Sequence, residues 1–162
     1  MIIIAHADKN NGIGKNNDLM FRLPLDMKFF RETTTDSVVI MGRKTLESFP
    51  GKKPLPKRVN IVITRNPDFE AENVITASSP EDAAKISTAY PDKKVFVIGG
   101  GNIYEQMLPF CDTALITRVY EDADADTFIH DFDNDPEWYL AEESDDIEDN
   151  SHIIRFCTYR RK

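Results

Sequence analysis

The sequence predicts an α/β fold, a single domain over residues 1–162 with a mostly parallel central sheet flanked by helices and a late antiparallel strand. Three observations predict it. Short apolar runs alternate with helix-start signatures along most of the chain. Two of those runs, Ser37–Met41 and Val95–Ile98, pass through glycine straight into a helix start. The length of 162 residues, at 41% hydrophobic and 30% charged, suits one ordinary core.

The elements follow in order. Ile2-Ile3-Ile4-Ala5 reads as a buried first strand. Asp8 to Arg22 is a long polar stretch in which Gly12 and Gly14 flank Ile13; connections of this length tend to carry function. Pro24 suits the first turn of a helix running to about Thr34. On that helix Asp26, Met27 and Phe30 fall at spacings that share one face, and Phe29 points elsewhere, toward the core. The second strand ends at Gly42, and a short helix follows to about Phe49. Pro50-Gly51 and Pro54-Leu55-Pro56 make a rigid, irregular connection. Val59 to Thr64 is the third strand and Val74-Ile75 the fourth. Ser79-Pro80-Glu81-Asp82 opens a helix with a capping serine and a proline at its first position. Val95 to Ile98 is a strand, Asn102 to Leu108 a helix, and Ala114 to Val119 a strand. Trp138 to Ala141 and Ile153 to Thr158 read as late antiparallel strands.

Composition narrows the function. The apolar start, Met1 to Ala7, is too short to span a membrane and has no signal-peptide pattern, so a cytoplasmic protein is expected. Cys111 and Cys157 fit no metal spacing and are expected reduced and buried. The net charge of −8 is unevenly spread. Residues 1–65 hold 12 Lys/Arg against 6 Asp/Glu, a local +6, whereas residues 121–150 hold 14 Asp/Glu and no Lys or Arg. The basic part suits a small anionic ligand. The acidic part argues against nucleic acid and reads as a solvated surface.

Chemistry concentrates at a few places. Gly42-Arg43-Lys44-Thr45 follows a strand and opens a helix, so unpaired N–H groups and two cations can meet a phosphate. Gly99-Gly100-Gly101 repeats the arrangement without the cations. Two such turns suit a ligand with several phosphates, such as a dinucleotide. Thr64-Arg65, at another strand end, can hold one further phosphate or be an ordinary surface turn. Asp26, between Pro24 and an aromatic face, either pairs with a cationic or amidine-like group or simply favours the helix dipole. Arg58 can pair with a carboxylate or be a surface charge. His6, His130 and His152 form no spacing that points to a metal or to catalysis.

Taken together the segments resemble the dihydrofolate reductase family. The likeness rests on Gly12-Ile13-Gly14-Lys15-Asn16-Asn17-Asp18-Leu19, Leu23-Pro24-Leu25-Asp26-Met27-Lys28-Phe29-Phe30, Val39–Thr45, Pro54–Ile61 and Val97–Tyr104, in the family's order. The resemblance implies a dihydrofolate reductase-like fold and NADPH-dependent reduction of 7,8-dihydrofolate to tetrahydrofolate by a monomer, sensitive to antifolate inhibitors, with no nucleic-acid or membrane partner. It implies that Asp26 holds the pterin N3 and 2-amino group, with Thr117 supporting it partly through water. Ile4, Met27, Phe30, Phe49, Leu55, Ile98 and Tyr104 would wall the substrate, Arg58 would take its glutamate α-carboxylate, and Lys53 would lie at the rim. Gly42, Arg43, Lys44 and Thr45 would clamp cofactor phosphate, with Thr64, Arg65 and Ser78 around the 2′-phosphate. Ile98, Gly99, Gly100, Gly101, Asn102, Ile103 and Tyr104 would face the pyrophosphate and nicotinamide, where the family has a cis Gly-Gly peptide. Ile13, Gly14, Asn17, Asp18 and Leu19 would belong to a mobile loop over the nicotinamide.

The chain departs from the family at three places. Met20-Phe21 replaces the usual Pro-Trp, so Phe21 takes the place of a tryptophan that orders water near the acid. The connection Phe49–Lys53 is longer than in many relatives. On ungapped alignment His6 falls where a small residue contacts pterin and nicotinamide; a one-residue shift would put Ala5 or Ala7 there. Two rivals remain at this point. One is a reductase of the same fold acting on a pyrimidine-type riboflavin precursor, against which Asp26 and Arg58 together argue. The other is a non-catalytic nucleotide-binding module whose acidic segment recruits a partner.

Overall fold

The computed structural model describes residues 1–16 and 18–162. In chain order the elements are β1 (Ile2–Ala7), β2 (Gly12–Gly14), α1 (Pro24–Thr34), β3 (Val38–Gly42), α2 (Arg43–Ser48), β4 (Val59–Ile63), β5 (Val74–Ala77) and α3 (Pro80–Ser87). There follow β6 (Val95–Gly99), α4 (Gly101–Met107), β7 (Thr113–Val119), β8 (Thr127–Phe128), β9 (Trp138–Glu143), β10 (Ile147–Asp149) and β11 (His152–Arg161). Their contacts divide the chain into two compact units, Thr34–Phe110 with Met1, and Ile2–Thr33 with Cys111–Lys162.

In the first unit, β6, β3, β4 and β5 pair in that order, all parallel. Val38, Val39, Ile40 and Met41 are each 0% exposed, which is why β3 reads as a continuous apolar run rather than an alternating one. α3 starts where the sequence says it should. Ser79 Oγ accepts the Asp82 N–H at 3.0 Å behind Pro80, a cap contributing about 1 kcal/mol.

In the second unit β1 and β7 are parallel, and β11 runs antiparallel to β7, β9 and β10. Here the core is aromatic. Phe132 stacks on Tyr159 with centroids 5.4 Å apart and meets Trp138 edge-on at 4.8 Å. A second cluster joins Leu23, Val119 and Ile154 with Phe21, Ile147 and Phe156. The late antiparallel strands and the α/β class are as expected.

Strands β2, β8 and β10, of three, two and three residues, are absent from the sequence reading. Runs so short carry no periodicity, and Gly-Ile-Gly has low strand propensity; pairing between β2 and β8 makes them strands. No helix among the described residues is long and apolar enough to cross a membrane.

Candidate active site

Helix α1 presents Asp26 in its first turn. The N–H groups of that turn have no partners inside the helix. Asp149 supplies them. Its Oδ1 and Oδ2 accept from Leu25 N at 3.2 and 3.1 Å, and Oδ2 accepts from Asp26 N at 3.1 Å. Asp149 is only 2% exposed, so the reading of residues 121–150 as solvated surface is corrected at this position. An acid at a helix start can be buried because aligned N–H donors compensate its lost hydration.

Asp26 is itself mostly enclosed, with a side chain 13% exposed. Thr117 Oγ1 donates to Asp26 Oδ1 at 2.6 Å, a direct bond. His6 Nδ1 lies 3.3 Å from Oδ2. His6 and Thr117 are register partners on β1 and β7, and side chains at paired positions leave the sheet on one face. The spacing of the three histidines gives no hint of this, because strand pairing and α1 create the juxtaposition. Of Ala5, His6 and Ala7, it is His6 whose side chain meets the acid; Ala7 is 0% exposed.

Around this centre Ile4 is buried, Phe30 half-buried and Met27 exposed. Phe29 packs on Phe156 with centroids 4.7 Å apart, as expected of a core residue. Phe21 meets His6 edge-on at 6.1 Å and His152 at 5.1 Å, so it packs as an aromatic wall and, unlike tryptophan, offers no N–H.

The other substrate candidates lie in the first unit. Arg58 Nε and Nη2 donate to Thr34 Oγ1 at 3.2 and 3.1 Å, and Nη1 donates to Pro56 O at 2.8 Å. This orients the guanidinium. Asn60, which sequence reasoning missed, fixes the connection before it: Oδ1 accepts Leu55 N at 3.1 Å and Nδ2 donates to Leu55 O at 2.9 Å. A buried amide interrupting the apolar run Val59–Ile63 was the available signal. Phe49 and Leu55 are half-buried, and Lys53 is exposed.

The cofactor candidates gather around two helix starts in that same unit. Gly42 precedes α2 and Gly100 precedes α4, and neither start has a side-chain cap. A β-carbon on Gly42 would lie 3.0 Å from Ile103 Cγ1, and Gly99 has φ +126°, open to glycine. Thr45 Oγ1 would be 3.6 Å and 3.7 Å from β-carbons at Gly99 and Gly100, and Tyr104 Oη 3.5 Å from the former, so these four residues converge. The Gly99–Gly100 peptide is cis. Arg43 lies over the Phe69 ring at 5.0 Å and pairs with Glu47 at 3.4 Å. Lys44 and Arg65 are exposed. Thr64 Oγ1 accepts from Asn66 N at 3.2 Å, and Ser78 Oγ donates to Asp82 at 3.3 Å. Bare backbone, uncapped N–H groups and cations make a set that fits a phosphate-bearing dinucleotide.

The loop candidates are anchored at their base. Asp8, 1% exposed, accepts Asn10 N and Gly12 N at 2.8 Å each and Ala123 N at 3.1 Å. Arg118 donates to Asp8 O at 3.0 Å and Asn11 Oδ1 at 2.7 Å. Ile13 and Gly14 lie in β2, while Asp18 and Leu19 are exposed; Asn17 lies outside the described residues.

Comparison with known proteins identifies the family. The family model for dihydrofolate reductase matches residues 1–161. Among curated relatives, the dihydrofolate reductase of Haemophilus influenzae is 39% identical over 164 residues, covering 99% of this chain and 98% of that protein. The bifunctional dihydrofolate reductase-thymidylate synthase of Daucus carota is 44% identical over 144 residues, covering 78% of this chain. The chain spans only 27% of the length of that bifunctional relative. The structure of Enterococcus faecalis dihydrofolate reductase complexed with NADP(H) and RAB-propyl superposes with a TM-score of 0.87 at 33% identity, covering 99% of this chain and 95% of that one. With its glycine turns, its helix-borne acid and a family match over nearly its whole length, the chain belongs to the dihydrofolate reductase family.

Proposed function

We propose that this chain, by family an NADPH-dependent oxidoreductase of folate metabolism, reduces 7,8-dihydrofolate to 5,6,7,8-tetrahydrofolate, with hydride delivered to pterin C6 and a proton to N5. The observation that carries the reading is Asp26, capped into place by Asp149 and bonded by Thr117. An enclosed carboxylate with free acceptor positions suits the N–H edge of a 2-amino-pterin and favours its protonated or polarised form. Asp26 acts at one remove, and water carries the proton to N5.

Gly42 to Thr45, Thr64, Arg65, Ser78 and Gly99 to Tyr104 would hold NADPH. When bound, NADPH supplies the hydride. The chain's own part is orientation. Arg58, set by Thr34 and Pro56, takes the glutamate α-carboxylate, with Lys53 at the rim. In the second unit Met27 and Phe30, and in the first unit Phe49 and Leu55, are the candidates for apolar contact with the rings, which would exclude water. Residues 1–162 act as one functional domain, as a cytoplasmic monomer open to antifolate inhibitors.

The test is an absorbance assay. NADPH mixed with the protein and dihydrofolate should lose its near-ultraviolet absorbance, and omission of any component should abolish the loss. Binding of NADPH without turnover would favour a non-catalytic nucleotide-binding module instead.

A further inference from the structure

His6 has the environment of a working group rather than a satisfied core histidine. Its side chain is 9% exposed and its Nδ1 engages Asp26 Oδ2. Its other nitrogen, Nε2, is buried without a hydrogen-bond partner among the described residues. Buried polar atoms are rarely left so without a reason. Thr117 already holds Oδ1, so hydroxyl and imidazole divide the carboxylate between them.

We propose that His6 is a positioning residue that holds Asp26 Oδ2 and makes capture of a cationic, amidine-bearing ligand compete with the proton on its imidazole. This rests on Asp26 being the pterin anchor. A carboxylate has about four lone-pair positions. Thr117 and His6 use one on each oxygen, which leaves one on each for a parallel pair of ligand N–H groups. A neutral imidazole adds a hydrogen bond and no charge. An imidazolium neutralises Asp26 and repels the incoming cation across a few ångströms of desolvated space. Ligand binding therefore releases the imidazole proton, and acid reciprocally weakens binding.

Asp26 faces the imidazole from α1, and Asp149 lies behind Asp26 at the helix start. His152, paired with Glu121, lies across the Phe21 ring.

The test measures binding of 5-benzyl-2,4-diaminopyrimidine by calorimetry between about pH 5.5 and 8.5, the range over which histidines change charge. The proteins are wild type, His6→Asn, His6→Gln and Asp26→Asn, each checked for folding by thermal unfolding. Asparagine and glutamine keep a donor but take up no proton. The ratio of wild-type to variant Kd cancels the ligand's own titration. It should rise at least about threefold from the top to the bottom of the range, with a limiting slope of about tenfold per pH unit. A ratio independent of pH for whichever histidine variant folds overturns the role of His6. If in that case Asp26→Asn still abolishes binding, the functional reading stands without it. If Asp26→Asn binds like wild type, the anchor reading falls and this inference with it.

Discussion

Asp149→Ala should loosen the helix that carries the acid. The lost carboxylate accepts N–H groups of Leu25 and Asp26 at 3.1 to 3.2 Å and is 2% exposed. Loss of a helix cap costs about 0.5–2 kcal/mol. Loss of a charge at a partly buried helix end adds up to about 2 kcal/mol. Two N–H groups at a partly buried helix start are then left short of a protein partner. The sum is about 2–4 kcal/mol for alanine, and about half of that for Asp149→Asn, which keeps an acceptor and loses the charge. For a chain of this size each kcal/mol lowers Tm by about 2–4 °C. Urea unfolding followed by the fluorescence of Trp138, the single tryptophan, reads the free energy directly. Because the same turn carries Asp26, kcat/KM for dihydrofolate should fall in protein that is still fully folded. A destabilisation below about 0.5 kcal/mol, the range of ordinary surface substitutions, would refute the capping argument.

Arg58→Ala should weaken folates bearing a glutamate tail by about ten- to a hundredfold, the loss of a charged pair of about 1.5–3 kcal/mol, and leave a tail-less pterin nearly unaffected. Equal weakening of both ligands would make Arg58 structural. Arg65→Ala should raise KM for NADPH while that for NADH barely moves, and added salt should shrink the effect; steady-state kinetics with both cofactors decides it. Burial pushes the thiols of Cys111 and Cys157 up to about 11. An unfolded thiol ionises near about 8.5, so the folded chain holds the extra proton and stability should fall as pH rises through about 8.5 to 11. Urea unfolding across that range should show a steeper decline in wild type than in Cys111→Ala measured from its own starting stability.

The legible part of the molecule is what repeats or punctuates. The Pro24, Ser79-Pro80 and Gly42 signals place α1, α3 and α2 because proline, serine and glycine act on their own backbone. The glycine turns leave backbone bare at two helix starts for the same local reason. What stayed hidden depends on partners distant in sequence. Asp149 caps a helix that begins at Pro24 and His6 meets Asp26 through strand register, whereas Thr117 was placed beside the acid by the family resemblance alone. A buried aspartate within an acidic stretch, or a histidine in a strand, looks like its neighbours until pairing shows what it faces.

The most direct test of the account is the turnover of Asp26→Asn with NADPH and dihydrofolate, measured from neutral to acid pH. The side chain keeps its size, so the fold should hold, while the ability to favour a protonated pterin is lost. The account predicts a large fall in kcat/KM at neutral pH that shrinks as the solution becomes acid enough to protonate the substrate itself. Turnover equal to wild type at neutral pH would contradict it, and would remove Asp26 from the chemistry.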